Sequence, residues 1–298
     1  MPTTTVATTE IELWYDEFGE VGDPPLVLIM GLATQAIAWE DDFCEGLVDR
    51  GFRVIRFDNR DIGLSQDLSD APGASVDLGA LLADVIAGKL PEPPYRIADM
   101  AEDTLGLLDH LGIDRAHVVG ASMGGMIAQQ LAIDHADRVA TLTSIMSTTG
   151  EAAYGQASPT VMSAFVAPPP TGREAVIDRS VEVSRMIGSP DLLDEAIIRA
   201  QAERAYDRSF RPEGAARQLA AILASPDRAA GLRELRVPTL VIHGDADPLV
   251  APSGGERTAE LVEGAELVVI PGMGHDLPPN HWALVIESVT SLVARNAT

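Results

Sequence analysis

Cysteine is almost absent from this chain, since Cys44 is the only one among 298 residues. No disulfide can therefore form within the chain, and a reducing compartment is expected. Long apolar runs are also missing. The strand-like run 26–30 is far too short to span a bilayer, and the first residues have neither a basic region nor an apolar stretch of signal length. These absences predict a cytoplasmic protein without a membrane partner.

Basic residues are scarce, with 21 Lys and Arg against 45 Asp and Glu, which gives a formal net charge of −24. Such a charge repels nucleic acid and anionic membrane surfaces, so neither is expected as a partner. The sequence also lacks a GxGxxG fingerprint, a phosphate-binding loop and a cluster of His and carboxylate residues. It therefore predicts chemistry that uses neither a nucleotide cofactor nor a metal.

Residues 120–124 read G-A-S-M-G and fit the pattern G-x-S-x-G. In this pattern the serine lies on a tight turn, and the residues two positions away must be glycine because a side chain there would collide. Residues 116–119, apolar except for His117, have the pattern of a buried strand, and residues 126–133 repeat apolar side chains at helical spacing. Strand, turn and helix follow in the required order, so Ser122 is predicted to be a nucleophile.

A serine hydroxyl is a poor nucleophile at neutral pH and needs a base that takes its proton. His275 is the candidate, because it lies in a glycine-rich loop directly after the apolar run 267–270, where a strand would deliver it to a sheet edge. The five other histidines have structural interpretations, at helix ends, within a strand or in a turn: His110, His117, His135, His243 and His281.

An acid is needed to orient the histidine, and it is expected after a strand that precedes His275 in the chain. Residues 237–243 form such a strand and run into a turn that holds two aspartates, Asp245 and Asp247. Both satisfy the order serine, acid, histidine, and both also suit a turn in which an aspartate only shapes the loop. Spacing alone does not separate them.

Together these segments resemble the α/β-hydrolase fold, in the branch that carries a helical cap. The resemblance also includes residues 25–32, residues 53–65 and the helix 97–111 that leads into the serine strand. It implies a mostly parallel sheet with helices on both faces, and it implies that Asp247, just before a proline, is the acid. Because Met30 and Gly31 replace the commoner His-Gly pair, the chain looks more like the aclacinomycin methylesterase group of this fold.

The same resemblance implies an oxyanion hole, which holds the negative charge of a tetrahedral intermediate with two N–H donors. The implied donors are the backbone N–H groups of Leu32, after the Met-Gly pair, and of Met123, after the nucleophile. A methionine in place of histidine removes a polar side chain beside the hole and leaves the backbone donor intact. The floor of the site is therefore expected to be more apolar.

Strand-like runs are absent between residues 147 and 235, which predicts one core domain, 1–146 and 236–298, interrupted by a helical cap, 147–235. The cap is expected to cover Ser122 as a lid. A second insertion, 66–95, with a helix over 77–87, is an alternative wall of the pocket. Three helices are predicted within the cap: 173–187, 191–206 and 212–224.

The sequence therefore predicts a serine hydrolase that cleaves a carboxylic ester of a small to medium apolar substrate through an acyl-enzyme on Ser122. Two alternatives use the same triad, a cofactor-free haloperoxidase or perhydrolase and a carbon–carbon bond hydrolase. A third is a receptor-like binder with slow or vestigial catalysis. Oligomeric state is left open. Met146, Met162 and Met186 are candidates for an apolar pocket lining, although methionines at such positions more often belong to the core. Substitution of Met162, Phe165 or Met186 in the cap is expected to shift the preferred ester chain length.

Overall fold

The computed structural model describes residues 2–71, 73–89, 92–165 and 170–296. Within these residues the chain builds one sheet of eight strands. In chain order they are β1 (Thr3–Thr5), β2 (Glu12–Phe18), β3 (Pro25–Ile29), β4 (Arg53–Phe57), β5 (Ala116–Ala121), β6 (Val139–Ile145), β7 (Thr239–Gly244) and β8 (Glu266–Ile270).

Across the sheet the strands lie in the order β1-β2-β4-β3-β5-β6-β7-β8. The pairs β1–β2 and β2–β4 are antiparallel, and every pair from β4 to β8 is parallel. Parallel strands all end at the same edge of a sheet, where the loops that follow them meet. The predicted fold class is confirmed, and its carboxyl edge is where the loops after β3, β5, β7 and β8 converge.

The helices, in chain order, are α1 (Asp41–Val48), α2 (Leu78–Ile86), α3 (Ile97–His110), α4 (Met123–Asp134), α5 (Pro159–Phe165), α6 (Arg173–Ile187), α7 (Glu195–Arg208), α8 (Pro212–Ala224), α9 (Ala229–Glu234), α10 (Ser253–Leu261) and α11 (Pro279–Arg295). The longest, α11, is a surface helix, and in the described part of the chain no helix is long and apolar enough to cross a membrane.

Two apolar cores cover the two faces of the sheet, as the alternation of side chains along a strand requires. In β3, Leu26 and Leu28 face the core that α1 and α11 close, whereas Val27 and Ile29 face the core that α3, α4 and α9 close. All four side chains are 0% exposed. An apolar run without alternation is what a strand buried on both faces needs.

Five helices, α5 to α9, lie between β6 and β7, and no strand occurs in the described residues of this segment. The bounds predicted for α6 and α8 are confirmed. The start predicted for α7 at Asp191 is wrong, because Asp194 accepts hydrogen bonds from the N–H groups of residues 196 and 197 and caps the helix there. The separation of 147–235 as a cap domain stays a prediction.

The insertion 66–95 contains α2, one residue shorter at each end than predicted, and this helix packs against α8. Pro72, Leu90 and Pro91 lie outside the described residues. Its first part is tied to the same helix by hydrogen bonds from Arg217 Nη2 to Asp67 and Ser69. This insertion and the helices between β6 and β7 therefore meet in one layer.

Candidate active site

Ser122 lies on the turn that joins β5 to α4, with a backbone φ of 56° and ψ of −120°. A positive φ is uncommon for a residue with a side chain and marks a strained turn. A Cβ at Gly124 would lie 2.1 Å from the Ile29 carbonyl oxygen, and one at Gly120 would lie 2.1 Å from the Gly124 carbonyl oxygen. Both positions therefore require glycine, and α4 begins directly against β3.

A hydrogen-bonded relay connects three side chains at the carboxyl edge of the sheet. His275 Nε2 lies 2.9 Å from Ser122 Oγ, and His275 Nδ1 lies 2.7 Å from Asp247 Oδ2. Each residue follows a different strand, β5, β7 or β8, so the parallel sheet brings together positions that are far apart in the chain. A proton on Nδ1 directed at the carboxylate leaves Nε2 with a lone pair directed at the serine hydroxyl.

The Asp247 carboxylate is buried, with 4% of the residue exposed. Its Oδ1 accepts hydrogen bonds from the N–H groups of Leu249 and Val250, both at 2.9 Å. Burial alone would raise the pKa of this carboxyl, but hydrogen bonds from His243, His275 and the backbone outweigh it and lower the pKa to about 2. Asp247 is therefore ionised throughout the neutral range.

Asp245, the competing acid, belongs to the turn after β7 and does not reach His275. Its Oδ1 accepts a hydrogen bond of 2.7 Å from the Gly272 N–H, which ties this turn to the loop after β8. Its contacts are those of an aspartate that shapes a loop. The structure therefore brings Asp247, and not Asp245, against the histidine.

His243, the penultimate residue of β7, is a site residue that the sequence interpretation missed. It is 1% exposed, and its Nε2 lies 2.8 Å from the Val250 carbonyl oxygen and 3.4 Å from Asp247 Oδ2. Since both neighbours are acceptors, Nε2 carries the hydrogen. The sequence signal was a histidine at a strand end four positions before the acid, and the structure turns it back onto that acid.

The loop after β3 lies directly against Ser122. A Cβ at Gly31 would be 3.1 Å from Ser122 Cβ and 3.6 Å from Ser122 Oγ, so the backbone of this loop borders the serine hydroxyl. Among the described residues, no acceptor is hydrogen-bonded to the backbone N–H of Leu32 or of Met123. Two free backbone donors beside a serine are what an oxyanion hole requires.

A family model described as alpha/beta hydrolase fold matches residues 24–281. The chain belongs to this family. It is 29% identical over 300 residues to the rhodomycin D methylesterase DnrP of Streptomyces peucetius. The match covers 93% of each chain. Among solved structures it is similar to an enol-lactonase from Burkholderia xenovorans, with 25% identity, a TM-score of 0.73 and coverage of 98% of this chain and 100% of that one. A thermophilic esterase from Thermogutta terrifontis matches at 25% identity and a TM-score of 0.71, over 100% and 99% of the two chains.

The other histidines of this α/β hydrolase have contacts outside the relay. His117 bonds the Thr141 hydroxyl at 3.0 Å, and burial, with a contribution from Arg115, lowers its pKa to about 4. His135 Nε2 lies 2.6 Å from Glu102, near the end of α4. His110 ends α3 and meets a tyrosine ring edge-on, and His281 lies in the first turn of α11.

A cleft of about 250 Å³ in the α/β hydrolase lies between the loop after β3 and helices α6, α7 and α8. Its lining includes Ala33, which follows Leu32 in the chain, and Tyr206 and Phe210, whose rings stack with centroids 4.9 Å apart. Ser122 and His275 are not among the described residues that line it. A second cleft, of about 350 Å³, borders Pro25 and Arg53 at the amino ends of β3 and β4. It lies on the opposite edge of the sheet from Ser122, so a molecule bound there would not reach Ser122 or His275.

The methionines considered as pocket lining are not among the described residues that line the cleft near Ala33. Met146 is buried at 4% exposure and Met162 is 42% exposed, while Met186 is partly buried. The side chain of Phe165 is outside what the structure describes.

In the described part of the α/β hydrolase no group of three or more His, Cys, Asp or Glu residues is arranged to hold a metal ion.

Proposed function

We propose that this α/β hydrolase is a serine esterase that cleaves a carboxylic ester of a small to medium apolar substrate through an acyl-enzyme on Ser122. One observation carries the proposal: the Ser122 hydroxyl lies 2.9 Å from His275, which lies 2.7 Å from a buried, ionised Asp247. The names of two relatives, a methylesterase and an esterase, support the ester as the bond that is cleaved.

In the first half of the reaction, Ser122 Oγ attacks the ester carbonyl carbon while His275 Nε2 takes the hydroxyl proton. The carbonyl oxygen becomes an oxyanion and accepts hydrogen bonds from the N–H groups of Leu32 and Met123. When the tetrahedral intermediate collapses, the C–O bond to the alcohol breaks and His275 gives its proton to the leaving oxygen. The products of this half are an alcohol and an ester of Ser122.

In the second half, a water molecule attacks the acyl carbon while His275 Nε2 takes one of its protons. Collapse of the second oxyanion breaks the bond to Ser122 Oγ, which recovers its proton from the histidine. Asp247 keeps its charge in both halves, because its pKa of about 2 lies far below neutrality. It holds Nδ1 of His275 protonated and stabilises the imidazolium that forms twice per turnover.

The proposal includes the helical segment 147–235 as a cap whose side chains select the substrate. The cleft between the loop after β3 and α6 to α8 supports this, since its lining combines Ala33, the neighbour of Leu32 in the chain, with Tyr206 and Phe210 of this segment. We place the enzyme in the cytoplasm, without a nucleic-acid or membrane partner. The single cysteine and the net charge of −24 support that part of the proposal.

The test is a panel of esters offered to the purified protein, in which the acid and the alcohol are lengthened separately from methyl acetate upward. Esterase activity that Ser122→Ala abolishes is expected, with one chain length preferred. Bromination of a dye with peroxide and bromide, but no ester cleavage, would instead support the haloperoxidase. Neither activity, together with no labelling of Ser122 by a fluorophosphonate, would support the receptor-like binder.

A further inference from the structure

Gln218 lies on α8, between β6 and β7 in the chain, yet its side chain reaches the loop that carries Leu32. Its Oε1 accepts a hydrogen bond of 2.9 Å from the Ala33 N–H, and its Nε2 donates one of 2.8 Å to the Arg60 carbonyl oxygen. The side chain is 0% exposed. A backbone N–H on one side and a carbonyl on the other allow only this orientation of the amide.

The residue that Gln218 holds is in an unusual conformation. Ala33 has a φ of 58°, in the left-handed region that side chains rarely adopt. It belongs to a turn closed by a hydrogen bond from the Thr34 N–H to the Gly31 carbonyl oxygen, and the Thr34 hydroxyl donates to the Leu32 carbonyl oxygen at 3.0 Å. The peptide between Leu32 and Ala33 is thus held at its carbonyl by Thr34 and at its N–H by Gln218.

The orientation of that peptide matters because it distinguishes two turn types that share the same end residues. If the peptide rotates, a turn with a left-handed third residue becomes one with a right-handed third residue, and the strain at Ala33 is relieved. Leu32 is part of this turn, and Gly31 before it lies against Ser122. The Leu32 N–H belongs to the preceding peptide, between Gly31 and Leu32, so Gln218 acts on it by fixing the position of the whole turn 31–34 against Ser122.

Helix α8, which carries Gln218, is itself fixed to the core. The neighbouring Arg217, 2% exposed, forms hydrogen bonds of 2.8 and 2.7 Å with the two carboxylate oxygens of Asp61. A Cβ at Gly214 would lie 2.2 Å from the Asp61 carbonyl oxygen, so α8 runs directly against the chain there. The carbonyl oxygen of Arg60 accepts the hydrogen bond from Gln218, and the Arg60 side chain forms an ion pair with buried Asp103, with Nε 2.6 Å from Oδ2.

We propose that Gln218 is a positioning residue, which holds the oxyanion loop so that the Leu32 N–H points at the charge that develops in the reaction. This inference rests on the proposed esterase function. It extends that function, because it gives the segment 147–235 a part in the rate of the reaction as well as in the choice of substrate. Substitution of Gln218 should weaken transition-state binding more than substrate binding.

The test compares Gln218→Met with Gln129→Met. Gln129 is also 0% exposed and makes two side-chain hydrogen bonds, to Ser144 at 3.1 Å and from Arg228 at 3.0 Å, but neither reaches the oxyanion loop. Each variant loses a buried amide of the same size, and Gln129→Met also takes an acceptor from the buried Arg228, so the control is the more severe of the two for folding. We expect kcat of Gln218→Met to fall about 10- to 100-fold with KM within about twofold, as for a weakened oxyanion donor. We expect kcat of Gln129→Met to stay within about threefold of the parent.

A boronic acid that forms a tetrahedral adduct on Ser122 supplies a second measurement. Its Ki should rise in Gln218→Met by the factor by which kcat falls, because the adduct oxygen occupies the oxyanion hole. Equal effects of the two variants on kcat and Ki, or a change in KM alone, would overturn the proposal. If Gln218→Met does not fold, Gln218→Asn replaces it, since the shorter amide cannot span from Arg60 to Ala33. A parent-like kcat in that variant would overturn the proposal as well.

The proposed function and the role of Gln218 fail in different ways. If Ser122→Ala keeps its hydrolytic activity, the esterase mechanism itself is wrong. If Ser122→Ala is inactive and Gln218→Met keeps the parent kcat, the mechanism stands and only the positioning role is wrong.

Discussion

Replacement of Asp247 by asparagine tests the hydrogen bonds that join Asp247, His275 and Ser122, because the contacts of Asp247 fix the orientation of the new amide. The Oδ1 atom already accepts two backbone N–H groups, from Leu249 and Val250, so the amide oxygen must occupy that side. The amide NH2 then faces His275 Nδ1, where the carboxylate oxygen lay at 2.7 Å. Nδ1 becomes an acceptor and the ring proton moves to Nε2, which can no longer take the proton of Ser122. The wrong tautomer is expected to lower kcat about 10⁴-fold, or about 5 kcal/mol of transition-state stabilisation.

The assay is the initial rate of p-nitrophenyl ester hydrolysis near pH 8, with Asp245→Asn as the matched control two residues away. Among the described residues, the one hydrogen-bond partner of the Asp245 side chain is the Gly272 N–H, so its variant should keep kcat within about threefold of the parent. Both variants should unfold cooperatively, which shows that the loss is chemical. More than about a tenth of the parent activity in Asp247→Asn, or a larger loss in Asp245→Asn, would refute the reasoning.

Three further predictions follow from burial and close contact. Since the pKa of Asp247 falls from 3.8 to about 2 on folding, its stabilisation is present above pH 4 and is lost as the pH falls towards 2. Between pH 4 and pH 2, the unfolding free energy of the parent should therefore fall by about 2 kcal/mol more than that of Asp247→Asn. Curves of unfolding free energy against pH that run parallel for the two proteins would contradict this. Burial raises the pKa of the Cys44 thiol to about 12, so a disulfide reagent at pH 8 should label it only after unfolding, and labelling of the native protein within seconds would be contrary evidence. Gly124→Ala places a Cβ 2.1 Å from the Ile29 oxygen and should cost more than about 3 kcal/mol in chemical denaturation, whereas Gly22→Ala, with nothing within 4 Å, should be near neutral.

The proposed nucleophile, Ser122, and the proposed base, His275, could be located in the sequence because each has a local signature. The two glycines around Ser122 and the glycine-rich loop before His275 follow strands whose apolar runs are plain in the sequence. That the loops after these strands meet followed from the prediction of a mostly parallel sheet, since parallel strands joined by helices end at one edge. The strand order and the register came only from the structure. The choice between Asp245 and Asp247 needed the spacing of a known family.

Long-range polar contacts were not predictable from local pattern. Gln218 binds Ala33 across 185 positions of the chain, and in the sequence it is one polar residue in an alanine-rich helix. His243 looked like an ordinary strand end, because its partner lies on a loop that folds back over it. The start of α7 was misplaced for a local reason, since Asp191 and Asp194 both suit a helix cap and only Asp194 is used.

The most direct test of the account is the identity of the atom that carries the acyl group. The purified protein is mixed with p-nitrophenyl acetate, stopped with acid within the first turnover and mapped by mass spectrometry. The acyl-enzyme mechanism predicts one acetyl group on the peptide that contains Ser122, none in Ser122→Ala, and a loss of several powers of ten in turnover for that variant. Acetylation at another residue, or more than about a tenth of the parent turnover in Ser122→Ala, would contradict it.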